Sequence, residues 1–377
     1  MREFLDFLEP SHYISSVDRR RYNNHQIGHH ILTLPEDDFE IGDIDIFIIG
    51  CGERRGSSTH KVWSHAADTV RAALYGMYDW HSEIRVADLG NIAEGATPQD
   101  TQAALGAVLT EIQLHNKVAV VIGGSQDLTV AQYEPFKRLE RMVNMAAVDM
   151  LMDLEEKEQM DDTSYLFKLF TAPVSYIRHF DILGFQSYYV NPLLLQTLDR
   201  LRFDCYRLGQ VRYNITDMEP VLRHTDILTV DLNVLRASEA PFNRNASPNG
   251  LYADELCQLM KYAGMAVRLS SVGIYNLYED EDINDAGAQT VAQALWYFVD
   301  GYRVRLLEHS LEAAGEYEEF HTTVDDMMIT FKKSKRTLRW WMQLPEGTFI
   351  PCSYSDYKAA AANEFPDRWF RAQERLT

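Results

Sequence analysis

The chain has 377 residues, of which 46% are hydrophobic and 24% are charged, so it can bury a large core and is not composed like a disordered protein. Its formal net charge of −20 disfavours non-specific binding to nucleic acid or to an anionic membrane surface. The four cysteines are far apart, and neither a transmembrane run nor a signal-peptide pattern is present. These features predict a cytoplasmic protein with no nucleic-acid partner and no membrane insertion.

Buried strands and amphipathic helices alternate along most of the chain. Apolar runs predict strands at residues 44–49, 84–88, 118–122, 145–149, 180–184, 205–208, 226–231 and 271–275. Helical spacing predicts helices between several of them, including residues 162–171, 192–201, 252–263 and 285–307. Thr97 followed by Pro98 marks another helix start. The alternation predicts one three-layer α/β/α domain with about eight mostly parallel strands over residues 41–307.

The two ends of the chain differ from this alternating region. Residues 1–40 form a polar leader with a histidine-rich segment, HQIGHH. Residues 308–377 contain a basic run, KKSKR, followed by Trp340 and Trp341. Neither end has enough apolar periodicity for a core of its own. We therefore expect a leader and a C-terminal extension, the latter docked through its aromatic side chains on the α/β domain or on a partner subunit.

Polar residues follow three of the predicted strands, at the point where each strand ends. The segments are GGSQD at residues 123–127, DMLMD at residues 149–153 and DLN at residues 231–233. Because the carboxyl ends of parallel strands meet at one edge of a sheet, these side chains are expected to lie close together. Carboxylates there suit a divalent cation, although an isolated DxxxD pattern more often caps a helix or ties a loop.

The order of these segments resembles that of the arginase, agmatinase and formimidoylglutamase superfamily. Members carry GGDHS, DAHxD and SxDxD at the corresponding strand ends, and the flanking RVADLGNI and ILGFQ segments are also similar. The resemblance covers residues 44–307. It implies an arginase-like fold, hydrolysis of C–N bonds with two Mn²⁺ ions, and a homo-oligomer.

The resemblance also implies that the metal site is degenerate. The six family ligand positions align with Gln126, Asp149, Leu151, Asp153, Asp231 and Asn233. Both family histidines are absent, an amide replaces one carboxylate, and Ile274 stands where the family has a glutamate. A leucine cannot bind a metal, and an amide offers only a neutral oxygen. No catalytic residue is therefore assigned.

Loss of these ligands predicts that no binuclear site forms and that no cofactor is required. One Mg²⁺ or Ca²⁺ held by Asp149, Asp153 and Asp231 is an alternative, as is a shifted alignment in which Asp127 is a ligand. The favoured hypothesis is a non-catalytic binding component. The alternative is a formimidoylglutamase- or agmatinase-like hydrolase of linear amidine C–N bonds with an altered metal site. A third hypothesis is an assembly component whose C-terminal extension contacts a protein partner.

Overall fold

The computed structural model describes residues 3–16, 18–34, 37–79, 81–243, 245–313 and 315–376. Most of these residues surround a ten-stranded sheet. Its strands are β1 (Leu8–Glu9), β2 (Leu32–Thr33), β3 (Ile46–Gly50), β4 (Val86–Ile92), β5 (Val118–Ile122), β6 (Val143–Val148), β7 (Ile177–Phe185), β8 (Asp204–Arg207), β9 (Ile227–Asp231) and β10 (Ser271–Tyr275). Their order is β1-β4-β3-β5-β10-β9-β6-β7-β8, with β2 also paired to β4.

The eight strands predicted from apolar runs are all present in this sheet, with ends that differ by a few residues. They pair in parallel, and β1 is antiparallel to β4. The mostly parallel α/β fold is therefore confirmed. The two short strands β1 and β2 come from the leader, which carries too few apolar residues for the sequence to reveal them.

Helices cover both faces of the sheet. In the described residues they are α1 (His12–Ser16), α2 (Ile27–His30), α3 (Ala66–Tyr75), α4 (Pro98–Leu114), α5 (Thr129–Arg138), α6 (Tyr165–Phe170), α7 (Pro192–Arg200), α8 (Leu208–Tyr213), α9 (Met218–Leu222), α10 (Ala253–Gly264), α11 (Ala286–Leu306), α12 (Tyr354–Ala361) and α13 (Asp367–Leu376). Successive side chains of β3 pack against the helices on opposite faces of the sheet. Ile46 and Ile48 pack with α3 and α11, whereas Phe47 and Ile49 pack with α4. None of the helices in these ranges is long and apolar enough to cross a membrane.

The C-terminal extension forms a second, four-stranded sheet. Its antiparallel strands are β11 (Tyr317–Val324), β12 (Met327–Ser334), β13 (Trp340–Gln343) and β14 (Phe349–Cys352), in that order. Asp325 and Asp326 both have positive φ, at 43° and 67°, and so make the tight turn of the first hairpin. Buried Phe331, Met342 and Trp369 belong to an apolar cluster within the extension. The expectation that this segment lacks a core of its own is therefore wrong.

Charged groups connect the extension to the α/β domain. Arg223 Nη1 of the domain donates to the Trp340 carbonyl over 2.7 Å. Arg339 lies 2.8 Å from Glu308 and 3.4 Å from Glu219, and its side chain is 4% exposed. Because these groups are removed from water, they hold the two parts together only while every charge keeps its partner.

Candidate functional site

A glycine turn carries Gln126 to the carboxyl edge of the sheet. Gly123 and Gly124 follow β5 with φ of +99° and +74°. Residues with a side chain rarely adopt such a backbone conformation. A Cβ on Gly124 would lie 2.6 Å from the Glu53 carbonyl oxygen. The turn therefore needs glycine, and it places Gln126, which is fully buried, just before α5.

Asp149 and Asp231 stand at the ends of the neighbouring strands β6 and β9. Each carboxylate accepts a backbone N–H from two residues further along: Leu151 N to Asp149 Oδ1 over 2.8 Å, and Asn233 N to Asp231 Oδ1 over 2.7 Å. Asn276 Nδ2 also donates to Asp231 Oδ2 over 2.6 Å. These local bonds orient both carboxylates at the sheet edge.

The remaining predicted side chains gather around Asp149. Its carboxyl group lies beside the side chains of Gln126, Asp153 and Asn233, and Asn233 Oδ1 accepts the Met150 N–H over 3.2 Å. Asp153 and Asn233 are each 5% exposed. Five of the six predicted positions thus bring polar groups together. The sixth, Leu151, is half-buried and offers only its backbone to this cluster.

The three carboxyl groups of this cluster repel one another. Burial raises the pKa of Asp149 to about 6, although the Leu151 N–H opposes the change. Burial first, and then repulsion from Asp149, raises the pKa of Asp153 and that of Asp231 well above the ordinary value of an aspartate. A proton or a bound cation would relieve this repulsion.

No lysine, arginine or histidine of the described residues forms an ion pair with these carboxyl groups. Asp149 Oδ2 and Gln126 Oε1 are buried and have no hydrogen-bond donor in the described part of the chain. Unpaired buried carboxylate and amide oxygens are suited to a divalent cation, which coordinates oxygen ligands. The cluster therefore fits a cation, although it provides no imidazole.

Two residues near the cluster were not identified from the sequence. One is Asn276, the donor to Asp231. The other is Tyr165, which is fully buried and whose hydroxyl has no hydrogen-bond partner among the described residues. Burial, followed by the charges of Asp153 and Asp149, raises the pKa of Tyr165 well above its usual range. Neither position carries a distinctive sequence signal. Tyr165, for example, lies in the apolar segment YLFKLF.

Asp127, the alternative ligand of a shifted alignment, is held away from this cluster. Its Oδ2 accepts from Gln102 Nε2 over 2.8 Å, and its Oδ1 accepts from Ser125 Oγ over 2.5 Å. A Cβ on Gly56 would clash with Asp127 Oδ2, so this carboxylate packs against the loop after β3. Its hydrogen bonds are thus made with α4 and with the glycine turn.

A second group with metal-ligand spacing lies at the opposite edge of the sheet. Ligand atoms of His179, Asp181 and Asp204 are within 4.8 Å of one another. Asp204 also pairs with Arg371 and Arg375 of α13, at 2.8 and 2.9 Å. Burial by itself would lower the pKa of His179. The Asp181 carboxylate outweighs this effect and raises that pKa to about 9. At neutral pH, His179 is therefore a charged member of an ion network that holds α13.

Solved structures with this fold include one that contains Mn²⁺. The chain superposes on formimidoylglutamase from Bacillus subtilis with a TM-score of 0.65 and 18% identity, covering 74% of this chain and 92% of that one. It also superposes on formiminoglutamase from Trypanosoma cruzi, in a structure with Mn²⁺, with a TM-score of 0.65 and 17% identity over 71% of this chain and 97% of that one. At these identities the likeness shows the fold.

These structures correct the expectation that no cofactor is required. That expectation is contradicted by the Mn²⁺ in the structure of the Trypanosoma cruzi relative. The described residues also include one group at metal-ligand spacing, His179, Asp181 and Asp204. Asp149 Oδ2 and Gln126 Oε1, which have no donor among the described residues, also agree with a bound cation.

Comparison of the sequence with known proteins finds formimidoylglutamases, as the comparison of the fold does. Formimidoylglutamase from Photorhabdus laumondii is 23% identical over 243 residues, which is 61% of this chain and 76% of that protein. Formimidoylglutamase from Bacillus subtilis is 23% identical over 282 residues, or 74% of this chain and 76% of that protein. The family model described as Arginase family matches residues 44–299, which is more than half of the chain. The chain belongs to the arginase family.

Proposed function

We propose that this chain is a metal-dependent hydrolase of linear amidine C–N bonds, similar in its reaction to formimidoylglutamase. We further propose that Asp149, Asp153 and Asp231 hold its cation. One observation carries the proposal: three buried carboxyl groups lie together without a cationic partner among the described residues, at strand ends inside the segment that the family model matches. Such a group is stable only when it is protonated or neutralised by a cation.

The reaction adds water to the amidine carbon and breaks the bond from that carbon to the amine nitrogen. An N-formimidoyl compound then gives a free amine and formamide, so that atoms balance without an oxidant or reductant. A bound divalent cation supplies Lewis-acid polarisation and lowers the pKa of water. The side chains of the cluster orient the cation, and the amides of Gln126 and Asn233 offer neutral oxygens beside it.

Hydrogen bonds set the directions in which the carboxyl groups of the cluster face a cation. The backbone N–H of Leu151 and the side chain of Asn276 fix the directions of the Asp149 and Asp231 carboxylates. The cluster is therefore already oriented before any substrate binds.

Turnover and metal binding by the full chain test the proposal together. We expect Mn²⁺-dependent release of formamide from N-formimidoyl-L-glutamate, with agmatine and arginine as comparison substrates. Asp231→Asn should lose both turnover and Mn²⁺ binding measured by calorimetry. Asp161→Asn is the matched control, since Asp161 lies in the loop after β6 but pairs with Lys157 over 2.7 Å. Mn²⁺ binding without turnover of any substrate would contradict the hydrolase assignment.

One observation favours a second candidate function, a non-catalytic binding component. Leu151 and Ile274, two apolar residues, stand at the positions that the resemblance gives to a metal-binding histidine and a glutamate. In this alternative the cluster keeps a structural cation, and the surface of the chain binds a protein partner. Cation binding that raises the thermal midpoint, with no hydrolysis by the wild-type chain, is the result that this candidate predicts.

We also propose that the chain forms a homo-oligomer. In support, Tyr188, Tyr189 and Leu193 are 65%, 51% and 65% exposed, and the two tyrosine rings lie 4.7 Å apart. Adjacent exposed apolar side chains are typical of protein contact surfaces. Light scattering of the full chain measures its mass, and a monomer at micromolar concentration would contradict this proposal.

The cytoplasmic location is likewise a proposal. Cys51, Cys205, Cys257 and Cys352 form no disulfide, which agrees with a reducing compartment. Fractionation of cells that produce the full chain tests the location directly.

A further inference from the structure

The cation cluster is closed to a substrate in this conformation. Asp149 is 1% exposed and Asp231 is 4% exposed, and Gln126 beside them is fully buried. A formimidoyl compound is much larger than a water molecule, so it cannot reach these carboxylates unless a covering segment moves. Hydrolysis at the cluster therefore requires a segment that opens.

The segment between β3 and α3 lies over this edge of the sheet. Residues 51–65 form neither helix nor strand. They leave β3 at its carboxyl end, and the Glu53 carbonyl accepts the Ser125 N–H over 3.0 Å, beside the glycine turn. Farther along, the His60 ring packs 5.4 Å from that of Tyr278, just after β10. Since β5 alone separates β3 from β10, the segment crosses the strand ends next to the cluster.

Asp162 holds the middle of this segment by three hydrogen bonds. Its N–H donates to the Gly56 carbonyl over 3.0 Å. Its carboxylate accepts from Ser57 Oγ over 3.0 Å and from the Ser58 N–H over 2.9 Å. Burial and the neighbouring carboxylates raise the pKa of Asp153, and the charge of Asp162 adds to this effect. The segment is thus tied down beside the cation cluster.

Glu279, in the loop after β10, holds the two ends of the segment. Its carboxylate accepts from Arg54 Nη2 over 2.9 Å, from Ser64 Oγ over 3.1 Å and from the His65 N–H. The guanidinium carbon of Arg54 also lies 5.0 Å from the centre of the Tyr278 ring. One carboxylate therefore joins both ends of the segment to the loop that follows β10.

Apolar contacts hold this segment less firmly than they hold the loop after β6. Among the described residues, Cys51 is its one member of an apolar cluster, and Val62 is 58% exposed. In the loop after β6, by contrast, Leu154 and Met160 pack in the apolar cluster that contains α6. A segment with few buried apolar contacts opens at a low cost in free energy. Residues 54–64 are therefore the part of this edge that opens most readily.

We propose that residues 54–64 are a lid, which closes over the cation cluster and opens to admit the substrate, with Asp162 and Glu279 as its two latches. The lid rests on the proposed function, because substrate entry is what requires the cluster to be exposed. Opening breaks the hydrogen bonds to the two latches and leaves the apolar clusters intact. Closing restores those bonds and excludes bulk water from the cluster.

Chemical labelling of carboxyl groups measures the opening without metal or turnover. The full chain is treated with a water-soluble carbodiimide and glycine ethyl ester, and mass spectrometry gives the labelling rate of each carboxyl group. Ser57→Ala removes one donor to Asp162, so Asp149 and Asp231 should be labelled about fivefold faster, the effect of one hydrogen bond. Val62→Ala is the matched control, since this exposed side chain lies in the same segment, and it should leave the rates unchanged.

Two further carboxyl groups show whether the change is confined to the lid. Asp88 is buried and reports general loosening, whereas Asp254 is exposed, and the labelling of both should be the same in all variants. Ser64→Ala, which removes a donor to Glu279, should also speed the labelling of Asp231. It replaces Ser57→Ala if circular dichroism shows that variant to be unfolded.

Unchanged labelling of Asp149 and Asp231 in both serine variants, or an increase that Asp88 shares, would overturn the lid. Absence of hydrolysis by the wild-type chain contradicts the proposed function alone, since the labelling needs neither Mn²⁺ nor substrate.

Discussion

The side chain of Asn276 donates to Asp231 Oδ2 over 2.6 Å, across the neighbouring strand ends of β10 and β9. Asn276 has a φ of 64°, in the left-handed region that asparagine tolerates better than most residues. The turn after β10 therefore aims a donor at a carboxylate that is itself 4% exposed. This bond leaves Asp231 with an oriented and charge-stabilised oxygen inside the cluster.

Removing this donor should destabilise the fold. Asn276→Ala is expected to lower the free energy of unfolding by about 1–3 kcal/mol, because the buried Asp231 oxygen loses its partner. Urea unfolding measures the loss. Asn116→Ala is the control, since Asn116 also has a positive φ, 55°, but is exposed. Equal losses in the two variants would show that backbone conformation, and not the bond to Asp231, causes the effect.

Rebuilding the family ligands should strengthen Mn²⁺ binding. The triple variant Gln126→His, Leu151→His and Asn233→Asp adds two imidazoles and one carboxylate. Aspartate at position 233 can still accept the Met150 N–H, so the local turn should persist. Partners that orient the new imidazoles are missing, which typically costs about 10–100-fold in affinity. Calorimetry should still detect a gain over the wild type, and no gain over the Leu154→His control would contradict the ligand assignment.

The ion network at α13 should make stability depend on pH in the alkaline range. The pKa of His179 is raised from an ordinary value of about 6.5 to about 9, so its pairing stabilises the fold fully below pH 6.5. That contribution, up to about 3 kcal/mol, is lost as pH rises through 9. His179→Gln should therefore flatten the fall in thermal midpoint between pH 6.5 and 9.5. His115→Gln, an exposed site, should retain the fall, and a fall of unchanged size in His179→Gln would contradict the assignment.

The charges between the extension and the α/β domain should matter far more than charges at its surface. Arg339→Ala leaves Glu219 and Glu308 buried without that partner, and such changes typically cost about 3–5 kcal/mol. Arg336→Ala breaks a pair with Glu316 in which the arginine is 49% exposed, and should cost about 1 kcal/mol or less. Urea unfolding compares them. If both variants lose a similar and small free energy of unfolding, the ion pairs of Arg339 contribute little to the stability of the chain.

The extension as a unit is tested by deletion. Removing residues 308–377 exposes the groups of the α/β domain that it covers, Arg223 and Asp204 among them. We expect lower solubility and a lower thermal midpoint than in the full chain. A soluble deletion variant with an unchanged number of subunits and an unchanged thermal midpoint would show that the α/β domain does not require the extension.

The α/β fold and the place of the cluster follow from the sequence alone. Strands such as residues 118–122 are continuous apolar runs, which burial on both faces explains. Each of these strands can therefore be predicted from its own segment of the sequence. Because the ends of parallel strands share one edge, the positions of Asp149 and Asp231 at two strand ends are enough to predict that they are neighbours.

Only the packing of distant segments decides which groups complete the cluster and what surrounds it. Asn276 meets Asp231, and Arg371 meets Asp204, across 45 and 167 residues, so no local pattern encodes either contact. The sequence does not reveal the second sheet for a related reason: its strands have mixed burial, and their apolar faces are covered by one another and by α13. A side chain's partner is set by packing, whereas periodicity reports only which face of its own segment is buried.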